Sequence, residues 1–185
     1  MKYVLIIGAK SELGMELASV YAKNNYNLYL AGRSIEKIQS QSEILEKQNN
    51  NKVILCELDV TDVNSHKDFY DSLKIKPIGI IYVAGYYPDQ NKALLNWEET
   101  SNAININYVG ALSLLNLAVI EFQESQKGFI VGITSVAGLR GRGKNYIYGS
   151  TKAAFIAYLN GLRNSLTKFN VNVLTVIPGF IKTKK

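Results

Sequence analysis

The sequence predicts an α/β protein built on a parallel β-sheet with helices on both faces. Six short apolar runs alternate with longer segments whose apolar residues recur with helical periodicity, and the connections between them are short. Strands that alternate with helices in this way form doubly wound parallel sheets. A glycine-containing turn between the first strand and the first helix favours the Rossmann type of this architecture. With 185 residues, the chain is expected to form a single such domain.

The predicted strands are nearly continuous apolar runs, which is typical of strands covered on both faces. They are Tyr3–Ile7, Asn27–Ala31, Val53–Leu58, Ile78–Ala84, Phe129–Thr134 and Val171–Ile177. Helical periodicity follows most of them. It predicts helices after Gly14, over Ile35–Gln48, after Thr61 or Asp62 as the N-cap, over Asn102–Glu124 and over Tyr146–Phe169.

Composition narrows the class of protein. The chain is 47% hydrophobic and 19% charged, and no apolar run reaches the ~18–20 residues of a membrane span, so a cytoplasmic protein is expected. Because Cys56 is the single cysteine, it cannot form an internal disulfide. The only histidine, His66, has no ligand cluster at metal-binding spacing and is interpreted as a solvated helix residue. We expect no metal site and no nucleic-acid partner.

The turn after the first strand is a candidate phosphate-binding element. Gly8 and Gly14 lie six residues apart around Lys10 and Ser11, and Glu12 occupies the place of a middle glycine. Such a turn lets backbone N–H groups and the helix N-terminus receive a pyrophosphate. A carboxylate there is unfavourable unless it points to solvent, and a plain strand-to-helix turn is the alternative interpretation.

The end of the second strand bears on the choice of cofactor. The sequence Ala31-Gly32-Arg33-Ser34 contains an arginine and no acid. An acid would hold a ribose diol, whereas a guanidinium pairs with a 2′-phosphate, so NADP is favoured over NAD. Lys10 would add a second cation, and a surface role for Arg33 is the alternative. Asp59, which ends the third strand, is placed to accept from an adenine amino group, to cap a helix, or to do both.

The candidate catalytic groups follow the fifth strand. Tyr148 and Lys152 are four residues apart on a predicted helix and share one face, and Ser135 ends the strand before it. An ammonium near a phenol lowers the pKa of the phenol and makes it a usable proton donor or acceptor near neutral pH. A second pair with this spacing, Tyr70 and Lys74, lacks such a serine and is interpreted as one face of a surface helix.

A basic loop separates Ser135 from Tyr148. It carries Arg140, Arg142 and Lys144, which are part of a net charge of +6. Cations clustered beside a candidate active site attract an anionic ligand. A solvated loop is the alternative interpretation.

Together these motifs resemble those of the short-chain dehydrogenases/reductases, in order along the whole chain. They are the turn Gly8–Gly14, Leu58-Asp59-Val60, Ala84-Gly85, Ile106-Asn107-Tyr108-Val109-Gly110, Ser135, Tyr148-x-x-x-Lys152 and Pro178-Gly179. The resemblance implies hydride transfer between a nicotinamide and a carbonyl or secondary alcohol. It implies Tyr148 as the acid/base and Lys152 as the group that lowers the Tyr148 pKa and binds the nicotinamide ribose. Ser135 would orient the carbonyl, and Asn107 would anchor a water that passes protons to the lysine.

The same resemblance implies a set of cofactor contacts at the strand ends. They are Gly8, Lys10, Ser11, Leu13, Gly14, Arg33, Asp59, Val60, Ala84, Gly85, Asn107, Tyr148, Lys152, Pro178, Gly179, Ile181 and Thr183.

Some features depart from the family pattern. Tyr82-Val83-Ala84-Gly85 stands in place of Asn-Asn-Ala-Gly. The loops are similar to those of a bacterial subgroup near the decaprenylphosphoryl-2-keto-pentose reductases, which implies an anionic sugar or lipid-linked sugar as substrate. Family members commonly continue past Pro178-Gly179 with a seventh strand and a substrate-covering segment, so we expect a truncated product or an incomplete sequence.

Assembly and turnover are separate expectations. The helices Asn102–Glu124 and Tyr146–Phe169 carry more apolar surface than one sheet face needs, which predicts a homodimer through these helices. A nucleotide-binding module without turnover, acting as a sensor or a partner subunit, is the alternative to an enzyme.

Overall fold

The structure, a computed structural model, describes residues 2–181. The predicted cofactor contact Thr183 lies outside the described residues. The strands are β1 (Tyr3–Ile7), β2 (Asn27–Gly32), β3 (Val53–Glu57), β4 (Gly79–Tyr82), β5 (Gly128–Ile133) and β6 (Val171–Val176). They form one sheet in the order β3-β2-β1-β4-β5-β6, and every neighbouring pair is parallel. The predicted doubly wound sheet of six strands is confirmed.

Helices connect the strands. They are α1 (Glu12–Lys23), α2 (Gln39–Asn49), α3 (His66–Ser72), α4 (Gln90–Leu95), α5 (Trp97–Ile104), α6 (Gly110–Ser125) and α7 (Tyr146–Leu166). A 3₁₀ turn, Ile35–Ile38, precedes α2, and a π-helical turn, Asn105–Val109, joins α5 to α6.

The sheet buries apolar side chains on both faces, as its strand composition predicts. Along β1, Leu5 and Ile7 belong to the core layer that includes Phe155 of α7. The alternating residues Val4 and Ile6 belong to the opposite layer, which includes Ala18 and Ala22 of α1. Side chains of a strand point alternately to its two faces, so one short strand contributes to both layers.

The predicted helix Asn102–Glu124 is not continuous. The π-helical turn interrupts it, and Asn107 lies in this turn rather than in regular α-helix. Turns of this kind insert an extra residue into a helix and occur frequently at functional sites. Helical periodicity alone does not reveal the extra residue, because the apolar residues on both sides continue to face the core.

The segment after β3 also differs from its prediction. The helix begins at His66, not after Thr61 or Asp62, because Asp59 first forms a turn in which its Oδ1 accepts hydrogen bonds from Thr61 N and Thr61 Oγ1. The interpretation of His66 as solvated is wrong. Its side chain is buried, with Nδ1 2.8 Å from Ser113 Oγ and Nε2 3.2 Å from the Asp59 carbonyl oxygen. Tyr70 is likewise buried and not on a surface face.

The helical stretch Trp97–Ser125 is long and apolar enough to cross a membrane. Its side chains Leu114, Leu115 and Phe122 are instead buried in the layer that covers the sheet. We therefore interpret it as a core helix.

Candidate functional site

The carboxyl ends of the strands open onto one cleft of about 1090 Å³. The cleft lies beside the boundary between β1 and β4, where the order of the strands reverses. Doubly wound sheets bind nucleotides at this switch point. The predicted site residues that line it are Gly8, Lys10, Ser11, Leu13, Arg33, Val60, Ala84, Gly85, Ser135, Tyr148, Lys152, Pro178, Gly179 and Ile181. Gly14, Asp59 and Asn107 are not part of the lining.

The glycine turn is shaped by close approaches of the backbone. Gly8 has φ +93°, and a Cβ there would lie 2.5 Å from Ala84 N on β4's connection. A Cβ on Gly14 would lie 2.6 Å from the Gly8 carbonyl oxygen, so a glycine is needed for the start of α1 to pack this closely against the turn. Ser11 caps α1, since its Oγ accepts from Gly14 N at 3.0 Å. Glu12 is the first residue of α1 and is exposed, so the place of the middle glycine has helical backbone that any residue can adopt.

Three candidate catalytic side chains meet on the opposite side of the cleft. Ser135 follows β5, and its side chain lies close enough to the Tyr148 hydroxyl to lower the pKa of that group. One turn along α7, Lys152 is only 4% exposed. Its Nζ donates to the Ile133 carbonyl oxygen at 3.1 Å and lies 5.8 Å from the centre of the Tyr148 ring. The structure thus brings together the serine, tyrosine and lysine that the sequence pattern singles out.

Asn107 lies behind these groups and is fully buried. Its Oδ1 accepts from Tyr86 N at 2.8 Å, and its Nδ2 donates to the Tyr86 carbonyl oxygen at 2.8 Å and to Thr151 Oγ1 at 3.0 Å. Thr151 in turn donates to the Tyr148 carbonyl oxygen. The amide therefore fastens the loop after β4 to the helix that carries Tyr148 and Lys152.

The far end of the cleft holds the residues that bear on cofactor choice. Lys10 Nζ donates to the Arg33 carbonyl oxygen at 2.8 Å, and the Arg33 guanidinium lies 4.0 Å from the Asp59 carboxylate. Both side chains of this ion pair are substantially exposed. The Glu57 carboxylate accepts from the backbone N–H groups of Ser34 and Ile35.

The basic loop only partly faces the cleft. Arg142 and Lys144 line it, whereas Arg140 is exposed outside the lining. On the same side, the centre of the Tyr87 ring lies 4.7 Å from the centre of the Tyr148 ring, and the two ring planes are tilted by 56°. Tyr87 is 60% exposed, so an apolar aromatic face stands beside the candidate acid/base.

Comparison with known proteins identifies the family. The family model described as short chain dehydrogenase matches residues 2–185. The chain belongs to the short-chain dehydrogenase family. An uncharacterised oxidoreductase of Mycobacterium tuberculosis is 32% identical over 181 residues, which cover 96% of this chain and 72% of the relative.

Solved structures of other proteins share the fold. A short-chain dehydrogenase from Sphingobium yanoikuyae, in complex with NADPH, has a TM-score of 0.91 at 24% identity and covers 98% of this chain and 72% of its own. The protein ElxO with NADP bound has a TM-score of 0.84 at 25% identity and covers 98% of this chain and 74% of its own.

The electrostatics of this short-chain dehydrogenase correct one expectation. The spacing predicts that Lys152 lowers the pKa of Tyr148, but burial raises that pKa and outweighs the opposing hydrogen bond from Ser135. Burial also lowers the pKa of Lys152 to about 8. The tyrosine hydroxyl therefore keeps its proton near neutral pH, while the lysine amine titrates closer to neutral pH than an ordinary lysine.

Several residues of the site are not predicted from the sequence. Tyr86 contributes only its backbone to Asn107, which no side-chain pattern reveals. Thr151 lies three residues after Tyr148, so the sequence predicts its place on the helix. The sequence does not predict its hydrogen bond with Asn107, because that bond depends on the π-helical turn. Glu57 pairs in register with Gly32 at the carboxyl ends of β3 and β2, and that register is the signal that could have found it.

Proposed function

We propose that the protein is an NADP-dependent oxidoreductase that transfers hydride between the nicotinamide and a carbonyl or secondary alcohol. The observation that carries the proposal is the meeting of Ser135, Tyr148 and Lys152 across one cleft from the glycine turn. When bound, the reduced cofactor supplies the hydride. The Tyr148 hydroxyl donates a proton to the substrate oxygen, and Ser135 holds that oxygen while charge develops on it. Lys152 then supplies a proton toward Tyr148, because its amine titrates near the working pH.

The cofactor would lie along the strand ends. The turn at Gly8 and the first residues of α1, Glu12 and Leu13, line the cleft, so the N-terminus of this helix is placed to receive a pyrophosphate. Arg33 and Lys10 suit a 2′-phosphate, and ElxO, which is similar to this chain, has NADP bound. A charge-assisted contact contributes ~1.5–3 kcal/mol, so NADPH should bind about ten- to a hundredfold more tightly than NADH.

The cofactor proposal is tested by titrating the protein with NADPH and with NADH and following the cofactor fluorescence. Arg33→Ala should remove most of the difference between the two dissociation constants. Equal constants in the unaltered protein would contradict the proposal.

Turnover is tested by NADPH oxidation that depends on an added ketone. A nucleotide-binding module without turnover would bind NADPH and oxidise none with any ketone or aldehyde in a broad panel. The clustering of Ser135, Tyr148 and Lys152 at the cleft and the dehydrogenase family support the enzyme over this alternative.

The substrate class is proposed from the other side of the cleft. Arg142 and Lys144 favour an anionic substrate, and the exposed face of Tyr87 suits the apolar face of a sugar ring. This agrees with the similarity of the loops to those of the decaprenylphosphoryl-2-keto-pentose reductases. A rise from 0.1 M to 1 M salt shortens the screening length from ~10 Å to ~3 Å and should raise KM for an anionic sugar. The rise should shrink in the Arg142→Gln/Lys144→Gln variant, and Arg140→Gln is the control. A KM independent of salt would contradict an anionic substrate.

Assembly as a homodimer in the cytoplasm completes the proposal. On α7, the exposed small residues Ala153, Ala157 and Gly161 form one face, and Ile120 of α6 is also exposed. Small side chains let two helices approach closely, which suits packing of α6 and α7 against a second copy. Sedimentation should show a dimer that Ala157→Arg converts to a monomer, while the α2 surface variant Gln41→Arg stays dimeric. A monomer in the unaltered protein would contradict the dimer.

A further inference from the structure

We propose that Glu57 is a positioning residue for cofactor choice, which holds the backbone after Arg33 in the shape that receives a 2′-phosphate. The inference rests on the proposed NADP dependence and extends it to a residue outside the lining of the cleft. It concerns an acid on β3, one strand away from the cation that would contact the phosphate.

The register of the sheet places this acid. Gly32 ends β2 and pairs with Glu57, the last residue of β3. The side chain reaches over the connection that leaves β2, where Oε1 accepts from Ser34 N at 2.8 Å and Oε2 accepts from Ile35 N at 3.1 Å. Each carboxylate oxygen therefore holds one of two successive peptide N–H groups.

The backbone at this point needs such a restraint. Ser34 has φ 51° and ψ 46°, which is the left-handed conformation that residues other than glycine adopt uncommonly. A residue held in a sparsely populated conformation persists only where its surroundings fix it. The two hydrogen bonds to Glu57 fix the peptide groups on both sides of Ser34, and so set the direction in which Arg33 leaves the strand.

Neighbouring contacts act on Arg33 itself. Lys10 holds its carbonyl oxygen, and Asp59 lies near its guanidinium. The two backbone hydrogen bonds also lower the pKa of Glu57, with a smaller contribution from Lys10, so the carboxylate stays ionised at neutral pH. Although a carboxylate repels a phosphate, this charge is exposed to solvent and engaged by two donors. Positioning should therefore outweigh repulsion.

The test compares Glu57→Ala with the unaltered protein in dissociation constants for NADPH and NADH. NADPH should bind about fivefold more weakly, the equivalent of losing one backbone cap, while the NADH constant changes by less than about twofold. Glu46→Ala is the matched control, because Glu46 accepts from Val53 N at the opposite end of β3. Amide hydrogen exchange at Ser34 and Ile35 should quicken in Glu57→Ala and not in Glu46→Ala.

The outcomes separate the two proposals. If the unaltered protein does not prefer NADPH, both the proposed cofactor and the role of Glu57 are contradicted. If it prefers NADPH and Glu57→Ala keeps the preference, or binds NADPH more tightly, only the role of Glu57 is contradicted. An equal loss of affinity for both cofactors would indicate general damage to the fold and would also contradict a role in cofactor choice.

Discussion

Two pairs with the spacing Tyr-x-x-x-Lys occur in this chain, and the structure gives them opposite surroundings. Tyr148 and Lys152 lie on one helix, with the tyrosine hydroxyl near Ser135 in the cleft and the lysine side chain buried. Tyr70 lies on α3, but Lys74 comes after that helix has ended at Ser72 and is exposed.

The partners of the two tyrosines differ as well. The Tyr70 hydroxyl donates to Glu121 Oε2 at 3.0 Å, and burial together with this carboxylate raises its pKa far above the ordinary value. Lys76, not Lys74, stands over its ring, at 4.6 Å from the ring centre. Spacing places two side chains on a helix, but neighbours from other elements decide whether a proton can move between them. Tyr70 instead forms a structural contact between α3 and α6 through Glu121, and Lys74 takes no part in it.

The largest effect expected from this difference is on turnover. Tyr148→Phe deletes the proton donor and keeps the ring, so it should lower kcat by about 10²–10⁴-fold and leave the dissociation constant for NADPH nearly unchanged. Tyr70→Phe, the matched control, should keep kcat within about twofold. Loss of turnover in the Tyr70 variant together with full turnover in the Tyr148 variant would show that the two assignments are reversed.

The next effect concerns the lysine. A lysine pKa that falls from the ordinary 10.5 to about 8 corresponds to roughly 3 kcal/mol of unfavourable ammonium burial in the folded protein. Lys152→Met should therefore raise the free energy of unfolding at pH 7, by about 1–3 kcal/mol after the loss of the bond to Ile133, although it removes turnover.

The size of this stability difference depends on pH. Between about 8 and 10.5 the unfolded chain binds the lysine proton more tightly than the folded chain, so the stability of the unaltered protein rises with pH in this window. The advantage of Lys152→Met should shrink over the same window. Lys74→Met should leave denaturant unfolding unchanged at each pH. A Lys152→Met protein that is less stable at pH 7 would contradict the burial cost.

A smaller effect is expected on stability, through the hydrogen bond between Tyr70 and Glu121. Tyr70→Phe leaves the Glu121 carboxylate without its tyrosine donor, which should lower the free energy of unfolding by about 1–3 kcal/mol. Tyr148→Phe should change it by less, because its hydroxyl faces the cleft. Urea unfolding of both variants checks this, and equal losses would mean that the two hydroxyls are not in different surroundings.

The smallest predicted change concerns the hydrogen bond between Thr151 and Asn107, next to the candidate catalytic pair. Thr151→Val keeps the shape of the side chain but removes the acceptor for Asn107 Nδ2, which still reaches the Tyr86 carbonyl oxygen. We expect a loss of about 1 kcal/mol in stability and a fall in kcat of less than about tenfold. Ser150→Ala removes an exposed hydroxyl that bonds three residues back and should have no effect on kcat. A Thr151→Val protein with unchanged stability would show that this hydrogen bond contributes little to the free energy of unfolding.

Much of the fold was readable from the sequence because local pattern and tertiary structure agree in the strands. The apolar runs from Tyr3 and from Asn27 lie within a residue of their predicted ends. The candidate site residues also come from these strand ends, where parallel sheets gather them. What the sequence could not show depends on contacts between distant segments, such as the hydrogen bonds of Asn107 to Tyr86 and Thr151.

The wrong interpretations share the same cause. The sequence gives His66 and Tyr70 no partners and so predicts that both are exposed, but each is buried against a side chain of α6, Ser113 and Glu121 respectively. The raised pKa of Tyr148 likewise reflects burial, which spacing along one helix cannot report. The local sequence therefore predicts where these side chains lie along the chain, whereas packing between helices and strands determines their burial and their pKa values.

The most direct test of the account is the pKa of Lys152 itself. In protein labelled with ¹³C-lysine, the signal that is absent from Lys152→Met identifies this side chain, and its chemical shift can be followed from pH 6 to pH 11. The account predicts a titration midpoint at about 8, because burial in α7 disfavours the ammonium form. A midpoint at the ordinary lysine value of 10.5 would contradict the claim that the surroundings of Lys152 set the candidate catalytic pair apart from Tyr70 and Lys74.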